Sequence, residues 1–248
     1  MGSNDNRGFT MIETMLFLAV TALLAVGVLV GSGVAIGQQR YRDSVNSLKS
    51  TLQQQYNLVS NTTNNRDNYW TCNSSGVVTE IPAGQTRGRQ TRGTSDCVQM
   101  GRLVTIQNGT MITTSNVVGY RQGTTIARND IAELQFYKMT TLTIDQDITT
   151  MNWQSVIVTQ HQTTPYSLSI LILRSPLSGS IVTFIKNTAG VPSDLKTMVS
   201  SLNQVARVLC VAAPVGTFVG RQIGVQVDAF AGNQGAVNIP LETDGLCG

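Results

Sequence analysis

The reactive side chains of this chain rarely come in sets, which narrows the chemistry open to it. His161 is its single histidine, so a Ser-His-Asp triad would have to be built on it and a multi-histidine metal site is excluded. Asp145 and Asp147 stand two residues apart, on one face if the chain is extended, and carboxylate oxygens are ligands that calcium takes. No third carboxylate is close in sequence, and a solvated strand face accounts for the same pair. Arg87, Arg89 and Arg92 lie in Thr86-Arg-Gly-Arg-Gln-Thr-Arg-Gly93, a glycine-spaced basic loop of the kind that can hold a phosphate backbone or another surface. No aromatic is interleaved for base stacking, although Tyr69 and Trp70 are near, and a solvated loop is the competing account. The cysteines are Cys72, Cys97, Cys210 and Cys247; none sits in a C-x-x-C pair, which weakens zinc and thioredoxin-like readings. An even number of widely spaced cysteines in an exported chain favours disulfides. Of three pairings, Cys72–Cys97 with Cys210–Cys247 is expected, because each closes a moderate loop; each would contribute roughly 3.5–4 kcal/mol, less any strain. No catalytic residue, metal set or cofactor motif emerges, and an enzyme is not expected.

Glu13 is a carboxylate at the mouth of a run, Thr14 to Gly37, that contains no charge. As a helix that run would be about 36 Å long, enough to cross a hydrocarbon core of about 30 Å. A carboxylate there is costly unless it finds a partner or lies at the interface. A secretory signal peptide needs an apolar core of only about 7–15 residues, shorter than this one, although a small-residue site exists at Gly33-Val34-Ala35. A lipoprotein would need a cysteine after the run, and there is none. An ordinary membrane anchor with Glu13 at the interface also stands.

The residues directly before the run are more specific: Arg7-Gly8-Phe9-Thr10-Met11-Ile12-Glu13. This stretch closely resembles the class III signal of type IV prepilins and pseudopilins. The resemblance implies a short leader, Met1 to Gly8, cut after Gly8 by a dedicated prepilin peptidase, which methylates the new N-terminal Phe9. Glu13 is then fifth in the mature chain. It further implies an assembly helix that packs with other pilin subunits in a bundle, membrane lipid around that helix before assembly, an inner-membrane assembly platform, and an extracellular filament. Physically, the charged amine of Phe9 and the carboxylate of Glu13 attract strongly between subunits in low dielectric, giving register as well as affinity. Major pilins often carry a helix-breaking Gly and Pro in this region; here no proline occurs before Pro82, and Gly27, Gly31, Gly33 and Gly37 cluster toward the outer end. They are compatible with local melting on assembly or with close helix packing through G-x-x-x-G faces. Arg7 precedes the run and Arg40 and Arg42 follow it, so a positive-inside count places the C-terminus inside. The resemblance and the cysteines argue for outside, and outside is the expectation here.

These sites need a scaffold. The chain has 248 residues, 41% hydrophobic and 12% charged, the latter about half the usual share of about 25%. Its surface is thus polar but weakly charged, and a net charge of +3 is too small to imply nucleic acid by itself. From Gln38 the helix is predicted to continue, because Tyr41, Val45, Leu48, Leu52, Tyr56 and Val59 recur at spacings of four and three. Asn61-Thr62-Thr63-Asn64-Asn65 reads as its stop. Strands are predicted at Val104 to Ile112, Ile126 to Tyr137, Ser155 to Thr159, Ser167 to Leu173 as a central strand, Ser180 to Ile185, Val208 to Ala212, Gln222 to Phe230 and Ala236 to Ile239. Pro192-Ser193-Asp194 looks like a helix start, and Leu195, Met198, Val199, Leu202, Val205 and Leu209 keep helical spacing, so a second helix is predicted near 193–207. The expected fold class is α+β: a long N-terminal α-helix, transmembrane then amphipathic, on an antiparallel β-sheet head. The expected organisation is leader 1–8, transmembrane and assembly helix 9–60, and extracellular β-rich head 61–248. Three functions follow: a filament subunit of a pilus or pseudopilus, for adhesion, motility, DNA uptake or secretion; a minor pilin whose loops bind DNA, a host surface or a partner cell; and, weakest, a membrane-anchored surface enzyme.

Overall fold

The computed structural model describes residues 10–61, 70–73, 77–81, 84–85, 90, 94–143, 146–160, 164–188, 190–217, 222–240 and 247. The first element is one uninterrupted helix, α1 (Met11–Ser60), of 50 residues. It starts where Thr10 turns extended and its hydroxyl accepts from the Glu13 amide, which occupies an otherwise unpartnered N-terminal donor. It ends at Asn61, whose own amide closes the last turn on Asn57.

The strands are β1 (Trp70–Cys72), β2 (Val78–Glu80), β3 (Val98–Gln107), β4 (Met111–Arg121), β5 (Tyr137–Thr141), β6 (Asp147–Thr150), β7 (Val156–Val158), β8 (Leu168–Arg174), β9 (Ile181–Asn187), β10 (Arg207–Ala212), β11 (Ile223–Val227) and β12 (Val237–Asn238); a short helix, α2 (Asp130–Gln135), precedes β5. β3, β4, β5, β6, β8 and β9 form a six-stranded antiparallel sheet ordered β5-β4-β3-β8-β9, with β6 sharing the free side of β4 with β5. A second, four-stranded sheet runs β12-β11-β10-β7, and β1 pairs with β2.

The helical stripe is what joins the two larger sheets. Val45, Leu48, Leu52, Tyr56 and Val59 share one core with Val104 and Ile106 of β3, Leu168, Ile170 and Ile172 of β8, and Leu209, Val211, Val225, Val227 and Val237 of the smaller sheet. The alternate residues of β8, Leu171 and Leu173, point to the opposite face, where they meet Leu134 of α2 and Leu195, Met198 and Val199. β8 is therefore covered on both faces, which is why its sequence reads as a nearly continuous apolar run.

Polar groups lock the helix at set heights along the sheets. The Tyr41 hydroxyl donates to the Val211 carbonyl (2.8 Å) and accepts from the Ile223 amide (2.6 Å), bridging the end of the β10–β11 ladder. Gln53 donates to the Val237 carbonyl (2.9 Å). The Gln55 side-chain oxygen accepts from Arg102, which also donates to Asn116 (2.7 Å). Tyr56 bonds Thr183 (3.0 Å), whose hydroxyl donates to the Ala231 carbonyl (2.7 Å).

Three expected elements differ. The strand predicted over Val104 to Ile112 is the corner of a hairpin: Asn108 and Gly109 both take positive φ, and the chain reverses from β3 into β4. Half of the strand predicted over Ile126 to Tyr137 is α2, because the Asn129 side chain accepts from the Ala132 amide (2.8 Å) and Asp130 and Glu133 sit in the first turn. The helix predicted near 193–207 is two single 3-10 turns, Leu195–Met198 and Ser201–Asn203. Ser200 interrupts it by capping the second turn, and Leu202 is left exposed.

Tyr56 lies beyond the apolar run, inside the head, and burial pushes its hydroxyl up to about 12 from 10.0. A raised folded-state value means stability is fully present below pH 10 and is lost as pH rises through about 12. Chemical denaturation across that window should therefore show falling stability. Tyr56→Phe should reduce the slope by about 1.4 kcal/mol per pH unit, at a cost of about 1 kcal/mol at neutral pH; an unchanged slope would contradict this packing.

Candidate assembly site

The first half of α1 has no counterpart in the head. Met11 and Ile12 are 78% exposed and Leu23 is 74%, and the most apolar stretch of the helix has no part buried against the rest of the chain. The helix is long and apolar enough to cross a membrane. Its few hydroxyls are turned onto its own backbone: Thr14 donates to the Met11 carbonyl (2.9 Å), Thr21 to Phe17 (2.9 Å) and Ser32 to Val28 (2.8 Å). Such a surface presents hydrocarbon with its polar groups already satisfied, as lipid requires.

Glu13 sits in the first turn, where the exposed backbone amides and the positive end of the helix dipole favour a carboxylate. It is exposed, and no ion pair reaches it among the described residues. An incoming cation therefore meets an open carboxylate at the tip of an apolar rod. Farther along, a side chain built on Gly27, Gly31 or Gly33 would meet nothing within 4 Å; Gly27 and Gly31, four residues apart, leave a slim, open strip on one face, and Gly33 lies on the other side of the helix. α1 runs through them without a break.

The cysteines are joined as Cys72 to Cys97 and Cys210 to Cys247, with Cα separations of 5.7 and 5.4 Å. The first ties β1 to the chain just before β3. The Gln90 side chain brackets Cys72 by accepting from its amide and donating to its carbonyl, both at 3.1 Å. The second fastens residue 247 to the outer face of β10 beside Val158. Gly224 faces this bridge, where a side chain would collide with the Cys247 sulfur and Val208.

Of the other residues singled out in the sequence, Gly8, Phe9, Arg87, Arg89, Arg92, Asp145 and His161 lie outside the described residues. Asp147 is exposed on β6, and no group of three or more potential metal ligands forms among the described residues. Sequence reasoning missed two polar features. Arg121 grips Glu133 through two bonds, of 2.7 and 3.1 Å, and donates to the Gly123 and Thr125 carbonyls, fixing α2 to the end of β4. Arg40 stacks on Trp153, its guanidinium 4.7 Å from the ring centre. The only signal for either pair was charge sign, since both depend on how distant segments meet.

Comparison with known proteins adds one match. Residues 3–29 fit the prokaryotic N-terminal methylation motif, the class III prepilin signal of type IV pilins and pseudopilins. No curated protein and no solved structure gives a significant match.

If lipid or a helix bundle is the natural cover of α1, charge in its middle should be intolerable. Arginines at Leu23 and Val26 together add about 5–7 kcal/mol to insertion. Cell fractionation should find wild type in the membrane pellet and the double variant depleted from it; equal recovery in the pellet would mean that something other than lipid or an apolar bundle covers this helix.

Proposed function

We propose that the chain is the precursor of a type IV pilin-like filament subunit: cut after Gly8, methylated on Phe9, held in the cytoplasmic membrane by α1 with the head outside, and then assembled into an extracellular pilus or pseudopilus. The observation that carries this reading is the coincidence of the methylation motif with an apolar first half of α1 that no described residue of the head covers, and whose first turn offers an exposed carboxylate. Lipid covers such a helix in the single subunit, and neighbouring copies of it cover it in a filament. Phe9 would bring a positive amine into an apolar bundle, and Glu13 of an adjacent subunit would compensate it. The role is structural rather than catalytic. The prepilin peptidase, the assembly platform and sister subunits are the partners this cycle requires.

Peptide mapping of sheared surface protein tests the processing: the N-terminal peptide should begin at Phe9 and carry one methyl group. A start near Ile36 would establish ordinary signal-peptide cleavage instead. Gly8→Arg should leave the precursor uncut, because the peptidase must fit a small residue there.

Glu13→Ala tests the assembly step. The substitution makes α1 more apolar, so insertion and cleavage should be largely intact. In a filament the amine of Phe9 would be left uncompensated at a cost of about 3–5 kcal/mol per contact. Filament yield should fall sharply at normal levels of processed subunit; equal incorporation would remove Glu13 from the mechanism.

A further inference from the structure

α1 leaves the head at about Gly37, and two loops crowd that exit. In the first, Trp153 and Gln154 both take left-handed backbone, with φ of 56° and 57°. For bulky residues this conformation is strained. Asn152 stitches this loop to the helix: its carbonyl accepts from the Ser44 hydroxyl and its amide donates to Ser47, both at 3.1 Å. The result holds Trp153 outward, 50% exposed, with Arg40 over its ring. Burial gains little from that arrangement, so the strain calls for another explanation.

The second loop is the turn Pro214 to Thr217, closed by the Thr217 amide on the Pro214 carbonyl (3.1 Å), with Gly216 at φ 86°. It holds Val215 at its tip, fully exposed. The turn approaches the helix so closely that a Cβ on Gly37 would stand 3.2 Å from the Thr217 methyl. The two loops and the helix enclose a cleft of about 250 Å³, lined by Gly37, Arg40, Tyr41, Trp153, Pro214 and Thr217.

The height of this cleft follows from helix geometry. A hydrocarbon core of about 30 Å takes about 20 residues of straight helix, so it reaches from Thr14 to about Gly33. Gly37 and Arg40 then stand about 6–10 Å farther out, in the headgroup layer. Tryptophan settles at that level with its ring toward the acyl chains, and arginine reaches the phosphates with its stem against apolar surface.

We propose that this rim of the head is a docking site for lipid headgroups: the phosphate of an anionic phospholipid in the outer leaflet seats against Arg40 in the cleft, while Trp153 and Val215 enter the interface. Continuity with the apolar helix and the positive charge of Arg40 select this occupant. The inference rests on the membrane-anchored reading above and extends it to the head, whose depth and tilt before assembly the rim would set. The subunit must give up these contacts when it is extracted into a filament.

The two tryptophans make the test direct, since Trp70 is 4% exposed and Trp153 50%. The full chain is reconstituted in vesicles of phosphatidylethanolamine with a minority of phosphatidylglycerol, carrying quenchers either at the headgroup or at the bilayer centre. Trp153 emission should be quenched from the headgroup and not from the centre, and Trp153→Phe should abolish that quenching. Arg40→Gln, or replacing phosphatidylglycerol by phosphatidylcholine, should lower headgroup docking about fivefold. A Leu24→Trp variant, at the middle of the Thr14 to Gly33 span, reports on the anchor through quenching from the bilayer centre. If Leu24→Trp is quenched there but Trp153 is untouched, the rim proposal fails and the anchor stands; if neither is quenched, both fail. If a Trp153→Cys variant cross-links to a second copy and headgroup quenching is absent, the rim is a subunit contact and the lipid assignment is overturned.

Discussion

The whole molecule depends on one mismatch within α1. Its second half is amphipathic and has two sheets to bury it, while its first half is apolar all round and meets nothing of its own chain. A helix that is hydrophobic on every side must be surrounded. The tens of kilocalories implicit in that bare surface make an isolated, water-exposed subunit an untenable state. That bare surface requires an apolar cover, which under the function proposed above is lipid first and then other helices of similar polarity. Because lipid and helix bundle are comparably apolar, the hydrophobic effect barely distinguishes them. Charge and shape must decide between them, which is the role a lone carboxylate and an open strip of glycines can fill.

The head solves a different problem. A small sheet cannot rest on a single helix without leaving its other face wet, and this chain covers the larger sheet twice. α1 takes one face and the α2 region the other, so β8 is buried from Leu168 to Leu173. The smaller sheet uses the remaining flank of α1. Hydroxyl and amide groups on the helix then cap or bridge strand ends, fixing register where apolar packing alone would allow sliding. Tyr41 is the clearest case, since it occupies a place in the β10–β11 ladder that water or another strand residue would otherwise fill.

Local signals were legible to the extent that one periodicity governed them. The stripe from Tyr41 to Val59 and the run at β8 could be read directly, because burial sets the spacing of the apolar residues there. Where capping chemistry competed with apolar pattern, capping won: Asn129 starts α2 inside a stretch of alternating apolar residues, and Ser200 cuts a helical spacing into two single turns. The corner at Asn108-Gly109 had a recognisable turn pair that the apolar run around it concealed. The terminal motif was legible because its recognition is by short sequence; the exit rim was not, because Arg40 and Trp153 meet only after the sheets have formed.

The length of α1 also sets a schedule. Tyr41 must wait for Val211, 170 residues on, and Gln53 for Val237, 184 residues on, before either finds its partner. Contacts of such separation make for slow folding. The helix is synthesised before every strand it packs on, so its apolar stripe is bare until the last of them has followed. If the head is exported as proposed above, unfinished subunits must be shielded from each other on the way, and their crowding on the membrane surface is the point at which this design is most vulnerable to misassembly.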